Sequence, residues 1–219
     1  MPTRSEAESK ALLRPFGVPF APERVVADAD AAVAAADELG YPVVVKLNGD
    51  AIAHKTERGL VRLGLRDAAA VAAAGEALLA AATPDDGDVT LLVAPMLSGN
   101  RELIAGLSLD PAFGMTVMVG IGGVLAEALG DVSVRLVPLS EVDAHEMLED
   151  LRTQELLGPF RGEPAVDRDA VAAVLVALGA AAEAHPELVS VDLNPLIVVD
   201  GRPVAVDALV EVAVEAVAS

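Results

Sequence analysis

The chain contains no cysteine. That excludes disulfides, thiolate metal sites and a cysteine nucleophile, and it fits a reducing compartment. Aromatic residues are nearly missing as well, at 2%. A core must therefore be built from small and branched side chains, with Phe16, Phe20, Phe113, Phe160 and Tyr41 as its only large rings. Hydrophobic residues still fill 53% of the 219 positions, enough for one large domain or two small lobes. Long apolar runs are lacking. The longest, Ala170 to Ala182, is interrupted by Gly179 and bounded by Asp169 and Glu183, whereas a bilayer span needs about 20 residues. No apolar leader follows Met1, so the chain is expected in the cytoplasm, away from membranes.

Positive charge is scarce. Fifteen Lys and Arg stand against 34 Asp and Glu, a formal net charge of −19. Such a surface repels nucleic acid and anionic membranes, and it repels nucleotides at long range. Any phosphate site must then be a local cluster of donors. Only Lys10, Lys46 and Lys55 are lysines. An apolar run, Val43-Val44-Val45, leads straight into Lys46, and His54 and Lys55 follow in a loop. A lysine at a strand end aims a compact charge at a phosphate, or it merely snorkels to water. His54, with Lys55 and Arg58 nearby in sequence, is either a nucleophile whose phosphorylated form those cations would stabilise or an ordinary loop histidine.

Periodicity and punctuation organise the rest. Ser5 and Glu8 form a capping-box pattern opening a helix over 6–14, followed by a connector broken by Pro15, Gly17, Pro19 and Pro22. Strands are predicted at 24–27, 43–47, 60–65 and 89–93, with helices to Leu39 and to about Ala82 opened by Asp28 and Asp67. The second half predicts strands at 101–109, 116–119, 132–137, 189–193, 196–199 and 202–207. Ser140 and Asp169 are expected to cap helices there, and 150–168 reads as an exposed loop. Helices interleave with antiparallel hairpins, so the class is α+β or mixed α/β. The expected division is an entry helix and connector (1–22), a first lobe (about 23–95) and a second lobe (about 96–219), with a hinge near Ala94 to Asn100.

The C-terminal hairpin carries the best-defined constellation. Asp200-Gly201 is a strong two-residue turn signal. Five residues back and five forward from Val199 and Arg202 lie Asn194 and Asp207, which would face each other with Cβ atoms roughly 4.5–5.5 Å apart. Asp192 lies on the same face as Asn194. Oxygen donors of this kind suit Mg²⁺ bridging nucleotide phosphates; alternatively Asp192 and Asn194 are turn polars and Asp207 caps a final helix. Gly120-Ile121-Gly122-Gly123 either brings backbone amides to an anion or makes a tight turn. Glu102, Glu127 and Asp131 are ambiguous by spacing alone.

Taken in order, these pieces resemble the ATP-grasp subunit or domain of the NDP-forming acyl-CoA synthetases, the ADP-forming acetate–CoA ligases. The resemblance runs through Phe16-Gly17-Val18-Pro19, Gly40-Tyr41-Pro42 into Lys46, and His54-Lys55-Thr56. It continues with Arg101-Glu102-Leu103, Asp110-Pro111-Ala112-Phe113-Gly114, Gly120 to Glu127, Asp192-Leu193-Asn194-Pro195 and Val206-Asp207-Ala208. It implies an ATP-grasp fold whose two lobes clamp ATP or ADP. Lys46 would touch the phosphates, Glu102 and Met96 would line the nucleotide site, and Asn194 and Asp207 would hold Mg²⁺. His54 would carry a phosphoryl group to a second phosphohistidine on a CoA-binding, α-type partner subunit. Two departures stand out: Ala94-Pro95-Met96 where relatives often carry Gln-Glu-Met, and Gly59-Leu60 where they have paired glycines. The competing readings are another ATP-grasp ligase and a non-catalytic nucleotide-sensing subunit.

Overall fold

The computed structural model describes residues 2–52, 55, 57–123 and 130–213. The chain divides into two compact units: an N-terminal unit of Pro2–Glu8 and Ala21–Met96, and a C-terminal unit of Ser9–Phe20 and the chain from Leu97 onward. The break between the units lies between Met96 and Leu97. The first helix, α1 (Glu6–Leu13), does not stand apart as an entry element; its first residues group with one unit and the remainder with the other.

In the N-terminal unit, β1 (Arg24–Val26), β2 (Val43–Asn48), β3 (Val61–Leu65) and β4 (Thr90–Pro95) form an antiparallel sheet ordered β1-β4-β2-β3. Helices α2 (Ala29–Leu39) and α3 (Ala68–Ala80) begin where short carboxylates accept otherwise orphaned amides: Asp28 from Ala31 N and Asp67 from Ala70 N, each at 2.8 Å. Ala32, Ala35 and Ala36 let α2 approach the sheet closely, where Val43, Val45, Leu47, Leu91 and Val93 complete the core. Strand β3 bulges at Gly64, whose φ of +68° suits glycine.

All six residues of β2 are buried, Lys46 and Asn48 included. The chain's opening residues explain this. Ala7 N donates to Asn48 Oδ1 (3.1 Å), Ser5 N to Asp50 Oδ1 (3.2 Å) and Glu8 N to Ser5 Oγ (3.4 Å). The expected capping box is therefore half built. Ser5 accepts from Glu8, but Asp50 satisfies the Ser5 amide because the β2 end lies against this turn.

The C-terminal unit is a sheet ordered β10-β8-β5-β6-β7 with β9 paired to β8. Its strands are β5 (Glu102–Asp110), β6 (Gly114–Ile121), β7 (Val132–Leu136), β8 (Leu188–Val199), β9 (Arg202–Ala205) and β10 (Leu209–Val212). Helices α4 (Glu141–Glu149) and α5 (Arg168–Ala184) pack against one sheet face. Leu103, Ala105, Leu107, Val117, Val119 and Leu193 meet Met147, Leu175 and Leu178 in that core.

Four expectations are corrected here. Asp167, not Asp169, caps α5, accepting from Ala170 N at 3.0 Å. The expected pair of strands around Pro195 is one continuous β8. Leu209–Val212 form β10, so the alternative in which Asp207 opens a helix is replaced by a strand over those residues. Residues 150–168 are not a solvated loop: Leu151, Leu157 and Val166 are buried. The buried Arg101 guanidinium ties that segment down, donating to the carbonyls of Leu156, Gly158 and Pro164 and pairing with Glu163. A long-range arginine of this kind leaves no local trace in sequence.

Candidate functional site

The C-terminal hairpin turns at Asp200 and Gly201, both at positive φ (49° and 85°), as the Asp-Gly signal demands. Beyond it β8 pairs with β9 as far as Leu196 opposite Ala205, and with β10 from Asp192 opposite Leu209. Three residues separate these pairs on each strand, so the register is unchanged across the gap. Asn194 and Asp207 fall opposite each other at its centre. Pro195 does not end the pairing: its carbonyl accepts from Val206 N at 3.2 Å, and its missing N–H is accommodated by a bulge. On the other edge of β8, Asn194 and Pro195 together oppose the single Ile104 of β5.

That bulge sets which side chains face out. Val191 and Leu193 point into the core before it, Leu196 and Val198 after it. Asp192 and Asn194 are left exposed on the face away from the helices. Glu102 lies on this same face of β5, since Leu103, Ala105 and Leu107 point into the core; its Oε2 is 3.7 Å from where a Cβ on Gly123 would sit. Solvent still reaches Asp192, but the protein crowding one side of it displaces enough water to raise its carboxyl above the ordinary value, and the Asp207 charge raises it further. Asp207 Oδ1 accepts from Ala208 N at 2.8 Å. Lys10, the third lysine, donates to the Val206 carbonyl at 3.3 Å, just ahead of Asp207.

An amide oxygen and a carboxylate facing each other fit a hard cation that fills its remaining positions with phosphate oxygens and water. Among the described residues no group of three or more His, Cys, Asp or Glu side chains could hold a metal by itself. The donor set therefore suits an ion shared with a phosphorylated ligand better than an all-protein cage.

Two amides of the glycine segment are engaged within the protein rather than offered to an anion. Ile121 N donates to Asp131 O (3.1 Å) and Gly122 N to Glu102 O (2.8 Å). A side chain at Gly120 would meet Val132 and the Asp131 carbonyl. Asp131 is structural: buried, it accepts from Arg152 N and from Thr153 N and Oγ1.

In the N-terminal unit Lys46 is buried rather than snorkelled. Its Nζ lies 2.7 Å from Glu6 Oε1, and Lys55 Nζ lies 2.5 Å from Glu6 Oε2. Arg58, considered beside His54, makes a two-pronged pair with Asp86 at 2.7 and 2.9 Å. That guanidinium, and behind it the Thr83 amide, hold the Asp86 carboxyl well below the usual carboxylate range. Met96 keeps a half-exposed side chain while its amide donates to Pro42 O at 2.9 Å. His54 and Glu127 lie outside the described residues. Glu6 escaped sequence reasoning. Lys46 in an apolar strand and Lys55 in the loop after it require a carboxylate if they are buried, but nothing local says which one.

Two antiparallel units with these features define a class of protein. The chain belongs to the ATP-grasp family, whose domain matches residues 2–212. Within it, the chain is 34% identical over 206 residues to the acetate–CoA ligase [ADP-forming] I subunit beta of Pyrococcus furiosus, covering 93% of this chain and 89% of that one. It is 35% identical to the acetate–CoA ligase [ADP-forming] I of Archaeoglobus fulgidus, over 92% of this chain but 30% of that longer one. The dinucleotide-forming acetyl-coenzyme A synthetase 1 of Ca. Korarchaeum cryptofilum, solved with coenzyme A and Ca-AMPCP, superposes with a TM-score of 0.89 at 32% identity. That match covers 97% of this chain and 94% of that one. Among the described residues, no helix is long and apolar enough to cross a membrane.

Proposed function

We propose that this chain is the nucleotide-handling subunit of an ADP-forming acyl-CoA synthetase, which exchanges acyl-CoA, ADP and phosphate with acid, CoA and ATP. It would act with a CoA-binding, α-type partner subunit. The observation that carries the reading is the register placing Asn194 opposite Asp207, on a sheet face shared with Glu102 and Asp192. Support for the partner comes from the relatives: one is named a subunit, and another carries the matching segment as 30% of a longer chain.

In this reading Asn194 and Asp207 hold Mg²⁺, and Glu102 and Met96 contribute to the nucleotide site. The ion, when bound, neutralises phosphate charge. Lys46 supplies a cation to the phosphates, which a chain of net charge −19 must provide locally. A ring nitrogen of neutral His54 attacks the γ-phosphorus of ATP. The bond to the ADP oxygen breaks, ADP leaves, and the phosphoryl group rests on the imidazole for the partner to accept. The reverse sequence makes ATP. Such transfers need positioning and charge stabilisation more than covalent chemistry.

The test uses the chain assembled with its CoA-binding partner, Mg²⁺ and γ-labelled ATP. The expected product is an acid-labile, base-stable label on His54. Undiminished acid-labile labelling of a complex carrying His54→Ala would remove the assigned role.

A further inference from the structure

Glu6 has no part in the chemistry above, yet its side chain is 1% exposed and each of its oxygens holds one lysine. Neighbouring backbone groups fix it in place. Ser5 N is held by Asp50 and Ala7 N by Asn48, both lying between Lys46 and Lys55 in sequence. Asn48 is itself anchored, donating to Thr90 Oγ1 at 3.1 Å. Glu6 therefore cannot swing away without unpicking the start of α1. A lysine ends a flexible four-carbon stem, and ordering that stem weakens every contact it makes with a ligand. A carboxylate oxygen that holds the ammonium in advance moves that ordering cost from ligand binding into folding.

We propose that Glu6 is a positioning residue of the nucleotide site: one carboxylate presets Lys46, and at the same time ties down Lys55, the residue following His54. The inference rests on the reading that Lys46 meets the nucleotide phosphates. Glu6→Gln retains the shape but offers one acceptor oxygen to two ammonium groups. Glu6→Asp retains the charge but is one methylene short of serving both.

The test is steady-state turnover by the assembled complex with Mg-ATP varied, comparing wild type, Glu6→Gln, Glu6→Asp and Lys46→Ala. Glu6→Gln is expected to raise KM for ATP at least about tenfold while kcat per active site moves less than about threefold. Glu6→Asp should fall between it and wild type. A purely structural Glu6 would reduce the fraction of active molecules, lowering apparent kcat at unchanged KM. Wild-type or lowered KM in both Glu6 variants, beside a raised KM in Lys46→Ala, overturns the inference and leaves the nucleotide reading standing. An unchanged KM in Lys46→Ala sinks the phosphate role of Lys46, and the inference with it.

Discussion

Asn194 and Asp207 stand opposite one another at the centre of a gap in the C-terminal hairpin that is bracketed on both sides by pairs of identical register. The turn fixes the count, and the bulge at Pro195 is taken up on the β5 side of the strand, so the pair survives a proline that would otherwise end it.

If these two side chains share one ion, removing either should weaken it. Asp207→Ala is expected to raise the Mg²⁺ concentration needed for half-maximal phosphoryl transfer at least about tenfold. Asn194→Ala should do the same, and the double variant should be little worse than the stronger single, because the two act on one ligand. Mg²⁺ titrations of the assembled complex measure this; additive effects would separate the pair.

Asp192 gives a stability effect of definite sign. Its carboxyl is raised in the folded state by desolvation and by Asp207. Folding therefore favours the protonated form, and the ionised form costs stability once pH passes above the unfolded value, about 4. Asp192→Asn should raise Tm at neutral pH, and the gain should vanish as pH falls below that value. Asp207→Asn should shrink the same gain. Thermal melts across pH report both.

Asp86 works in the opposite direction. The Arg58 guanidinium and the Thr83 amide depress its carboxyl, so its contribution is present above the unfolded carboxylate value and is lost as pH falls through the folded one. Asp86→Asn should lower Tm at neutral pH, and its deficit against wild type should narrow under acid. A deficit independent of pH would mean that packing, not charge, is what Asp86 supplies.

Gly106 of β5 pairs with Asp192 of the neighbouring β8, and an added Cβ there would fall against the Val191 carbonyl oxygen. Backbone yields poorly, so Gly106→Ala should destabilise by about 1–3 kcal/mol. Urea midpoints at constant m-value test this.

Glu6→Ala removes the shared carboxylate from two buried lysines. Loss of one partner from a buried ion pair costs about 3–5 kcal/mol, and equilibrium unfolding of the chain should show a loss of that order.

What the sequence determined by itself is local. Asp28, Asp67 and Ser140 mark helix starts because a short polar side chain meets amides only three residues on. Asp200-Gly201 sets a turn because its positive φ angles suit that pair, and the turn dictates which residues of the hairpin meet. The family resemblance was likewise carried by ordered short motifs. The tertiary structure decided what depends on distant partners. Glu6 reaches lysines 40 and 49 residues away, Arg101 anchors carbonyls more than 50 residues on, and the segment after Asp207 becomes a strand because β8 offers it an open edge. Burial of a charge or pairing of an edge is a property of what packs against it. No spacing along the chain encodes that directly.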